Sequence, residues 1–351
     1  MHDFAKTGAM SDHFQTTAAV GRDLQAFAAE MGVELAPLAW ALEIDPDDLQ
    51  RMEVRISLDR FCRLLETLAA ITGDDTFGLK YGYYFRPGGS GPFGYGLKAA
   101  PDLRAALDFT VRHVRVTADI SYLSLEIDYR RARFEWAYSP MIALCDQYQD
   151  FGVGLFVQHF KHFCGPNWLP SSLELRRRAP RSRALHRKLA SPNTVFGAPL
   201  NVMEISADAL DRPNPDADPI LFEMMGAQCE QLLAAQPETA GLDFRVKEEV
   251  LAILGEHAPT AARIGRRLGL SERSLQRRLA EIGTRFQTLV DDVRRELSDR
   301  LLLDSDIAIS EISYRLGFSA PSAYTRSAMR WYGATPSAVR ERGAPGAPTS
   351  T

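Results

Sequence analysis

The sequence predicts an α+β N-terminal domain followed by an all-α C-terminal domain with two helix-turn-helix motifs joined by a linker helix. Three observations support this fold class. The segments YLSLEIDY and RFEWAY alternate apolar and polar residues, as a β-hairpin does. The Pro-rich segment RPNPDADP at 212–219 interrupts the chain. Beyond residue 245 the apolar spacing is helical, and one local motif occurs twice, at 267–279 and 315–327.

The N-terminal domain is expected to open with helices and to continue into a sheet. Leu24, Phe27 and Met31 share one helical face, and Ser57 can cap a second helix. A Gly- and Pro-rich loop and a further helix precede the hairpin. The remaining segments, in order, are the loop at 85–96, the helix around 101–115, and the strand candidates SLELRR (172–177) and NVMEIS (201–206).

The Pro-rich segment and the changes in composition and apolar spacing divide the chain into five segments. A helix, PILFEMMGAQCEQLLAA, lies inside the predicted linker and fits two roles. It can bridge the two domains, or it can be the last core helix of the first. The predicted segments are a disordered tail (1–20), the α+β domain (21–211), the linker (212–244), the helical domain (245–342) and a second disordered tail (343–351).

Charge is unevenly distributed along the 351 residues. The formal net charge is −4, yet residues 245–342 hold 17 Lys and Arg against 13 Asp and Glu. A basic C-terminal part joined to an acidic body indicates a polyanionic partner for the C-terminal part. The four cysteines form no Cys-x-x-Cys pair, and no segment has the apolar length of a membrane span. We therefore expect a cytoplasmic protein that makes no membrane contact.

The repeated motif has the order of features of a helix-turn-helix. In each copy a helix ends at Arg-Leu-Gly, where the glycine favours a left-handed turn. An apolar residue follows, Leu270 or Phe318, and then a serine, Ser271 or Ser319, that can cap a second helix. Two copies in register favour this interpretation over an ordinary helical hairpin with a solvated basic face.

The second helix of the first copy carries residues suited to reading base edges. Leu275 and Leu279 fall on its inner face, and Arg273, Gln276 and Arg277 fall on the other. Arginine pairs with guanine O6 and N7, and glutamine pairs with adenine N6 and N7. These three side chains are therefore the first candidates for contact with double-stranded DNA.

In the second copy Tyr324 takes the inner place, and Ser322, Thr325 and Arg326 lie outward. This surface has fewer long polar side chains than the first, which predicts more backbone contact and less base readout. Between the copies, an apolar stripe from Thr284 to Leu303 predicts a linker helix of about 20 residues and about 30 Å. Successive major grooves on one face of B-DNA lie about 34 Å apart. One chain is therefore expected to contact two adjacent major-groove segments.

With these residues in view, the C-terminal part of the chain, residues 246–342, resembles the DNA-binding domain of the AraC/XylS family of bacterial transcription regulators. The resemblance is carried by SERSLQRRL, ISEISYRLGFSAPSAYTR and RWYGATPSAVRER. It implies sequence-specific DNA binding and a contact with RNA polymerase. Ser313 stands where the family usually has alanine, and its hydroxyl could bond one turn back and soften that helix. The implied base or backbone contacts are Arg273, Gln276, Arg277, Pro321, Ser322, Thr325 and Arg326.

Residues 25–210 are similar to the sensing and dimerisation region of AraC-type regulators related to ornithine-utilisation activators. The resemblance rests on IDPDDLQRMEVRISLDRFCRLLETLAAITGDDTFGL and GPFGYGLKAAPDLRAALDFTVRHVRV. It implies a homodimer that responds to a small-molecule effector. An effector-free dimeric regulator is the alternative. The candidate ligand contacts, each of which can equally be a structural residue at a core edge, are His113, Arg115, Tyr138, Tyr148 and His159.

Other chemistry receives little support from the sequence. His159, His162 and Cys164 lie close together, but a tetrahedral metal site needs a matching second ligand cluster. The run Arg176 to Arg178, together with Arg181 and Arg183, could bind an acidic effector, although a solvated charge run is the simpler interpretation. Phosphate-binding loops, dinucleotide fingerprints and nucleophile elbows do not occur. We therefore predict no catalytic residue, no metal and no cofactor, and keep a DNA-alkyl-accepting repair protein as an unfavoured alternative.

Overall fold

The computed structural model describes residues 10–142, 144–235, 241–303 and 307–343. Contacts divide the chain into two compact units, an N-terminal unit of Ser11–Ala235 and a C-terminal unit of the described residues from 241 on together with Met10. No helix in the described ranges is long and apolar enough to cross a membrane. The α+β and all-α composition predicted from the sequence is confirmed.

The N-terminal unit combines α-helices with two antiparallel or mixed sheets. Its helices are α1 (Leu24–Glu30), α2 (Leu35–Ala41), α3 (Leu58–Thr72), α4 (Phe77–Tyr84), α5 (Gly91–Ala99), α6 (Leu103–His113), α7 (Asp146–Cys164), α8 (Ala184–Leu189), α9 (Ala207–Leu210) and α10 (Pro219–Ala235). Its strands are β1 (Gln15–Thr17), β2 (Arg55–Ser57), β3 (Tyr122–Ile127), β4 (Arg131–Ala137), β5 (Ser172–Leu175), β6 (Thr194–Phe196) and β7 (Asn201–Ser206). Short 3-10 helices cover Met10–His13, Ala18–Gly21, Asp48–Gln50, Pro87–Ser90 and Val114–Val116.

The larger sheet has the order β3-β4-β7-β5-β6. The predicted hairpin forms β3 and β4, with Leu125 opposite Phe134, and β7 pairs antiparallel with β4, with Met203 opposite Phe134. Strand β5 is antiparallel to β7 and parallel to β6. The hairpin and the two further predicted strands are confirmed. Strands β1, β2 and β6 span three residues each, too few to show a period of two.

The predicted disordered tail at 1–20 is wrong for its second half. Residues 1–9 lie outside the described residues, but β1 pairs with β2, with Thr16 opposite Ile56. Phe14 and Ala18 are buried beside it. Burial of these apolar residues offsets the entropy of ordering the segment. The second predicted tail, from 344 on, and the segment 236–240 also lie outside the described residues.

Helices α4 and α7 form the central packing contact of the N-terminal unit. Glycines permit their close approach, because a Cβ at Gly78 would lie 1.9 Å from the carbonyl oxygen of Gln147 and one at Gly82 would lie 2.4 Å from that of Phe151. The Tyr81 ring stacks on Phe151 at 5.1 Å between centroids. This pair of helices places the N-terminal half of α7 in the core, including buried Tyr148 and Asp150.

Helix α10 packs within the N-terminal unit. Phe222 lies 5.2 Å from Phe109 of α6 between ring centroids, and Cys229 is fully buried. The other face of α10 is exposed, including Ile220 and Met224. Of the two roles that fit this helix from its sequence, the structure shows the last core helix of the first unit.

The C-terminal unit contains only helices among its described residues. They are α11 (Leu242–Ile253), α12 (Ala261–Arg267), α13 (Glu272–Glu281), α14 (Phe286–Leu303), α15 (Ile309–Arg315), α16 (Pro321–Tyr332) and α17 (Pro336–Gly343). This agrees with the helical spacing of apolar residues beyond residue 245, and the predicted linker helix is α14.

Candidate nucleic-acid interface and sensor interior

The first helix-turn-helix consists of α12, a turn at 268–271 and α13. Gly269 occupies the left-handed region with φ of 70°. The Ser271 hydroxyl accepts a hydrogen bond from the backbone N–H of Ser274 at 3.2 Å, which caps α13 as predicted. Leu275 and Leu279 are fully buried. These contacts fix which side of α13 remains outside.

Arg273, Gln276 and Arg277 are exposed on that outer side of α13. The Gln276 amide donates to Glu272 Oε1 at 3.4 Å, and Arg277 lies 3.8 Å from Glu281. Both contacts are long, local and solvated, so they contribute little stability. The donors can therefore exchange them for partners on a nucleic acid at little energetic cost.

The second helix-turn-helix differs from the sequence prediction at its turn. Ser319 does not cap the second helix, because α16 begins at Pro321 and its N-cap is Ala320, which makes no side-chain cap. The residue before a proline avoids the helical region, and proline is favoured in the first helical turn. Ala320 accordingly has φ of −155° and ψ of 148°. The turn at 316–320 is thus one residue longer than the turn at 268–271.

The longer turn changes which positions of the two recognition helices correspond. Counting from the first residue of each helix, buried Leu275 matches buried Tyr324. An alignment that superposes Gly269 on Gly317 matches Arg278 with Arg326 instead. That alignment is shifted by one residue relative to the positions within the two helices. The helical positions that correspond are Arg273 with Ser322, Gln276 with Thr325, and Arg277 with Arg326.

The outward residues of α16 have shorter side chains than those of α13. Ser322 and Arg326 are exposed, and Pro321 and Thr325 are half-buried. The Thr325 hydroxyl donates to the carbonyl oxygen of Pro321 at 3.1 Å. Arg326 is therefore the only long polar side chain among these four.

Helix α14 holds the second motif through buried polar contacts. The Arg294 guanidinium donates to the carbonyl oxygens of Leu316 and Gly317 at 3.0 and 3.1 Å and stacks on the Phe318 ring, 4.6 Å from its centroid. Burial lowers the pKa of Arg294. Ser298 and Tyr324 share a buried hydrogen bond of 2.7 Å. With 18 residues, α14 is about 27 Å long.

Of the five ligand candidates in the N-terminal unit, the structure brings two into contact. The rings of Tyr138 and Tyr148 lie 5.3 Å apart between centroids, and both are buried. The Tyr148 hydroxyl shares a hydrogen bond of 3.2 Å with Thr16 Oγ1. Burial raises the pKa of both phenols, so they are neutral donors and acceptors.

The other three candidates lie apart from this pair. His113 is buried, with Nδ1 3.1 Å from the carbonyl oxygen of Phe109, and burial lowers its pKa. Nδ1 of buried His159 lies 2.7 Å from the carbonyl oxygen of Leu155. Arg115 is exposed. Both histidines thus bond to the preceding turn of their own helix, as structural residues do.

A buried ionic network was missed at the sequence level. The Arg177 guanidinium donates to Asp150 and to the carbonyl oxygen of Asp75, and His186 Nε2 lies 3.0 Å from both Asp150 carboxylate oxygens. Arg177 is 3% exposed, so the interpretation of this arginine as part of a solvated run is wrong. The partners are 27 and 36 positions from Asp150 and share no periodic pattern, so no sequence signal connects them.

The described surroundings of His162, Cys145 and Cys164 bear on the metal and alkyl-acceptor alternatives. In the described ranges no group of three or more His, Cys, Asp and Glu side chains could hold a metal ion. His162 lies 3.2 Å from Asp216. Burial raises the pKa of Cys145 to about 12 and that of Cys164 to about 11. The nucleophilic thiolate of either residue is therefore scarce, which disfavours an alkyl-accepting cysteine.

Two family models match this chain. One, the arabinose-binding domain of AraC transcription regulators, N-terminal, covers residues 32–214, and a helix-turn-helix domain covers residues 264–342. The chain belongs to the AraC family of transcription regulators. This AraC-family protein is a DNA-binding transcription regulator with an N-terminal sensor domain.

Relatives match over most of their length. The ornithine utilization regulator of Pseudomonas aeruginosa is 28% identical over 314 residues, which cover 89% of this chain and 92% of the relative. The HTH-type transcriptional regulator VirS of Mycobacterium tuberculosis is 26% identical over 317 residues, or 90% and 93% of the two chains. The crystal structure of the transcriptional regulator CdpR from Pseudomonas aeruginosa has a TM-score of 0.41 and 20% identity, covering 90% of this chain and 98% of that one.

Proposed function

We propose that α13 and α16 enter two adjacent major-groove segments of one operator. The single observation that carries this proposal is the exposure of Arg273, Gln276 and Arg277 on a capped helix whose opposite face is buried. Arginine and glutamine in this arrangement match the donor and acceptor pattern of guanine and adenine. In this assignment α13 supplies most of the base readout.

Helix α16 then supplies one long donor and mainly positioning contacts. Arg326 occupies the helical position of Arg277, whereas Ser322 and Thr325 are short and reach phosphates or sugars more readily than base edges. Pro321 lies at the helix N-terminus, where backbone N–H groups point outward. In this proposal the 18-residue α14 sets the separation between α13 and α16.

A gel-shift comparison tests the readout assignment. We expect Arg273→Ala and Arg277→Ala to reduce binding to the operator about 10- to 100-fold each and to relax base preference, because each removes a bidentate contact. Arg112→Ala, at an exposed arginine of α6, is the control. Unchanged sequence preference in both α13 variants would remove α13 from the readout.

We also propose that the N-terminal unit binds a small-molecule effector and forms a homodimer. Effector binding would favour one arrangement of the regulator, in which the DNA-binding helices match their operator and RNA polymerase is engaged. The neutral Tyr138 and Tyr148 phenols provide paired hydrogen-bonding groups inside this unit. A regulator of this kind acts in the cytoplasm, on the nucleoid.

Thermal-shift measurements distinguish this proposal from an effector-free dimer. The name of the ornithine utilization regulator makes ornithine and related amino acids the first compounds to test, followed by fatty acids and sugars. A ligand at 100 times its Kd stabilises the folded state by about 2.7 kcal/mol. If no compound in these classes raises the melting temperature, the effector-free alternative gains support.

A further inference from the structure

A depression of about 510 Å³ lies on the C-terminal unit, between the end of α11 and α12. It is separate from the outer face of α13 that carries the proposed base contacts. Its volume falls within the range of about 300–1,000 Å³ that small-molecule sites occupy. Its lining residues are Ala252, Ile253, Glu256, His257, Arg263, Arg266 and Arg267.

Positive charge dominates this lining. Glu249 forms an ion pair with Arg267 and neutralises it. Neither Arg263 nor Arg266 has an ion-pair partner in the described part of the chain. The one carboxylate in the lining is that of Glu256. Two guanidinium groups thus face one concave surface without a matching number of acids.

The chemistry of the lining selects an oxyanion. A guanidinium donates two parallel hydrogen bonds to phosphate or carboxylate oxygens, and it is less strongly hydrated than an ammonium group. Ala252 and Ile253 add apolar surface beside the charges. A phosphate group, with more acceptor oxygens than a carboxylate, satisfies two arginines at once.

We propose that this pocket binds a phosphate group, supplied either by the backbone of the operator or by a free phosphate compound. The location supports both sources. Helix α12 is the first helix of a helix-turn-helix, which crosses the DNA backbone in such motifs. It also packs tightly on the turn before α13, because a Cβ at Gly265 would lie 2.8 Å from the carbonyl oxygen of Leu270. An anion in the pocket therefore acts on the position of α13.

The DNA source is tested with the full-length protein and the double variant Arg263→Gln/Arg266→Gln. This arm rests on the proposed operator binding. Affinity for operator and for scrambled DNA is measured by fluorescence anisotropy across a salt series. We expect equal weakening on both sequences, and the slope of log Kobs against log salt should fall by about 0.9 for each phosphate that the variant no longer neutralises. Arg112→Gln, an exposed arginine of α6, is the matched control, and circular dichroism verifies folding.

The free source is tested by calorimetric titration of inorganic pyrophosphate into wild type and double variant without DNA. Binding to wild type together with no binding to the variant supports a free phosphate ligand. If wild type binds operator, yet the variant keeps its salt slope and pyrophosphate binds neither protein, the pocket proposal is overturned. If wild type binds no DNA at all, the operator proposal fails instead, and pyrophosphate binding alone decides the pocket.

Discussion

Two buried serines of the C-terminal unit differ by one hydrogen bond. Ser298 and Ser313 are both fully buried. The Ser298 hydroxyl bonds to Tyr324, whereas Ser313 Oγ has no partner in the described ranges, not even the carbonyl one turn back that its sequence position allows. A buried hydroxyl without a partner costs about 1–3 kcal/mol. Ser313 is therefore a local weakness inside α15.

Replacing these serines should change stability in opposite directions. Ser313→Ala should raise the free energy of unfolding by about 1 kcal/mol, since it removes an unsatisfied group and favours the helix. Ser298→Ala should lower it by about 1–2 kcal/mol, because it leaves the Tyr324 hydroxyl unpaired. Urea denaturation measures both changes. A destabilised Ser313→Ala variant would contradict the absence of a partner for Ser313.

Glu66 makes the stability of the N-terminal unit depend on pH. Burial raises the pKa of its carboxyl to about 7, and the nearby Asp146 and Asp150 carboxylates add to the rise. The Gln147 backbone N–H, which donates to Glu66 at 2.8 Å, and the Arg177 charge oppose it. The folded state thus holds a proton that the unfolded chain releases near its ordinary value of 4.5.

The sign of the resulting pH dependence follows from this retained proton. Stability from the protonated Glu66 is complete below about pH 4.5 and is lost as pH rises through about 7. Glu66→Gln keeps an acceptor for Gln147 and should remove this loss, with a gain on the order of 2 kcal/mol at pH 8. Urea denaturation from pH 5 to 8 measures it, with exposed Glu126→Gln as control. If the free energy of unfolding depends on pH in the same way for wild type and Glu66→Gln, the raised pKa of Glu66 is refuted.

Among the secondary-structure elements, the two turns explain a difference between the otherwise similar motifs. In the first, the shorter turn presses on α12, which leaves room only for glycine at position 265. In the second, Ser313 stands at the aligned position, and the turn has one more residue. The motif with the shorter turn has glycine at this position, and the motif with the longer turn has serine.

Gly265→Ala should therefore destabilise the C-terminal unit. The new Cβ would lie 2.8 Å from the Leu270 carbonyl oxygen, and the turn must shift at a cost of about 1–3 kcal/mol. The control is Gly226→Ala in α10, where the nearest atom, in Phe109, is 3.7 Å away. That variant should gain up to about 1 kcal/mol from helix propensity. Equal effects in chemical denaturation would argue against crowding at Gly265.

The sequence predicts elements where local signals agree and misses contacts that depend on distant partners. The hairpin, α13 and α14 follow from periodicity and capping residues. Strand β1 depends on β2, about 40 residues away, and Arg177 depends on Asp150. The ligand candidates illustrate the same limit, because only Tyr138 and Tyr148 meet after folding. The start of α16 was foreseeable, since Pro321 restricts the residue before it.

For the whole molecule, the proposed function depends on two recognition helices joined by one rigid helix. Ser298 and Arg294 of α14 hold the second motif through buried contacts, so α14 and α16 are expected to move as one body. Among the candidate DNA contacts, α13 presents three long polar side chains and α16 presents one. The two halves of an operator should therefore contribute unequally to recognition.

Selection of binding sites from random DNA tests this asymmetry. Arg277→Ala and Arg326→Ala should relax base preference at positions about 10 base pairs apart, one turn of DNA. The first change should affect more positions, because Arg273 and Gln276 lie beside Arg277. Arg112→Ala should leave the selected sequence unaltered. If both arginine variants lose base preference at the same positions, α13 and α16 do not contact separate parts of the operator.

The extra residue between Gly317 and α16 also bears on how specificity is compared among regulators. The phase of each recognition helix is set by its first turn and its buried anchor, Leu275 or Tyr324, so the preceding loop absorbs an insertion while the DNA-facing positions are kept. Base preferences should accordingly be transferred between proteins by counting from the buried anchor. Counting from the glycine would assign the role of Arg326 to its neighbour Thr325.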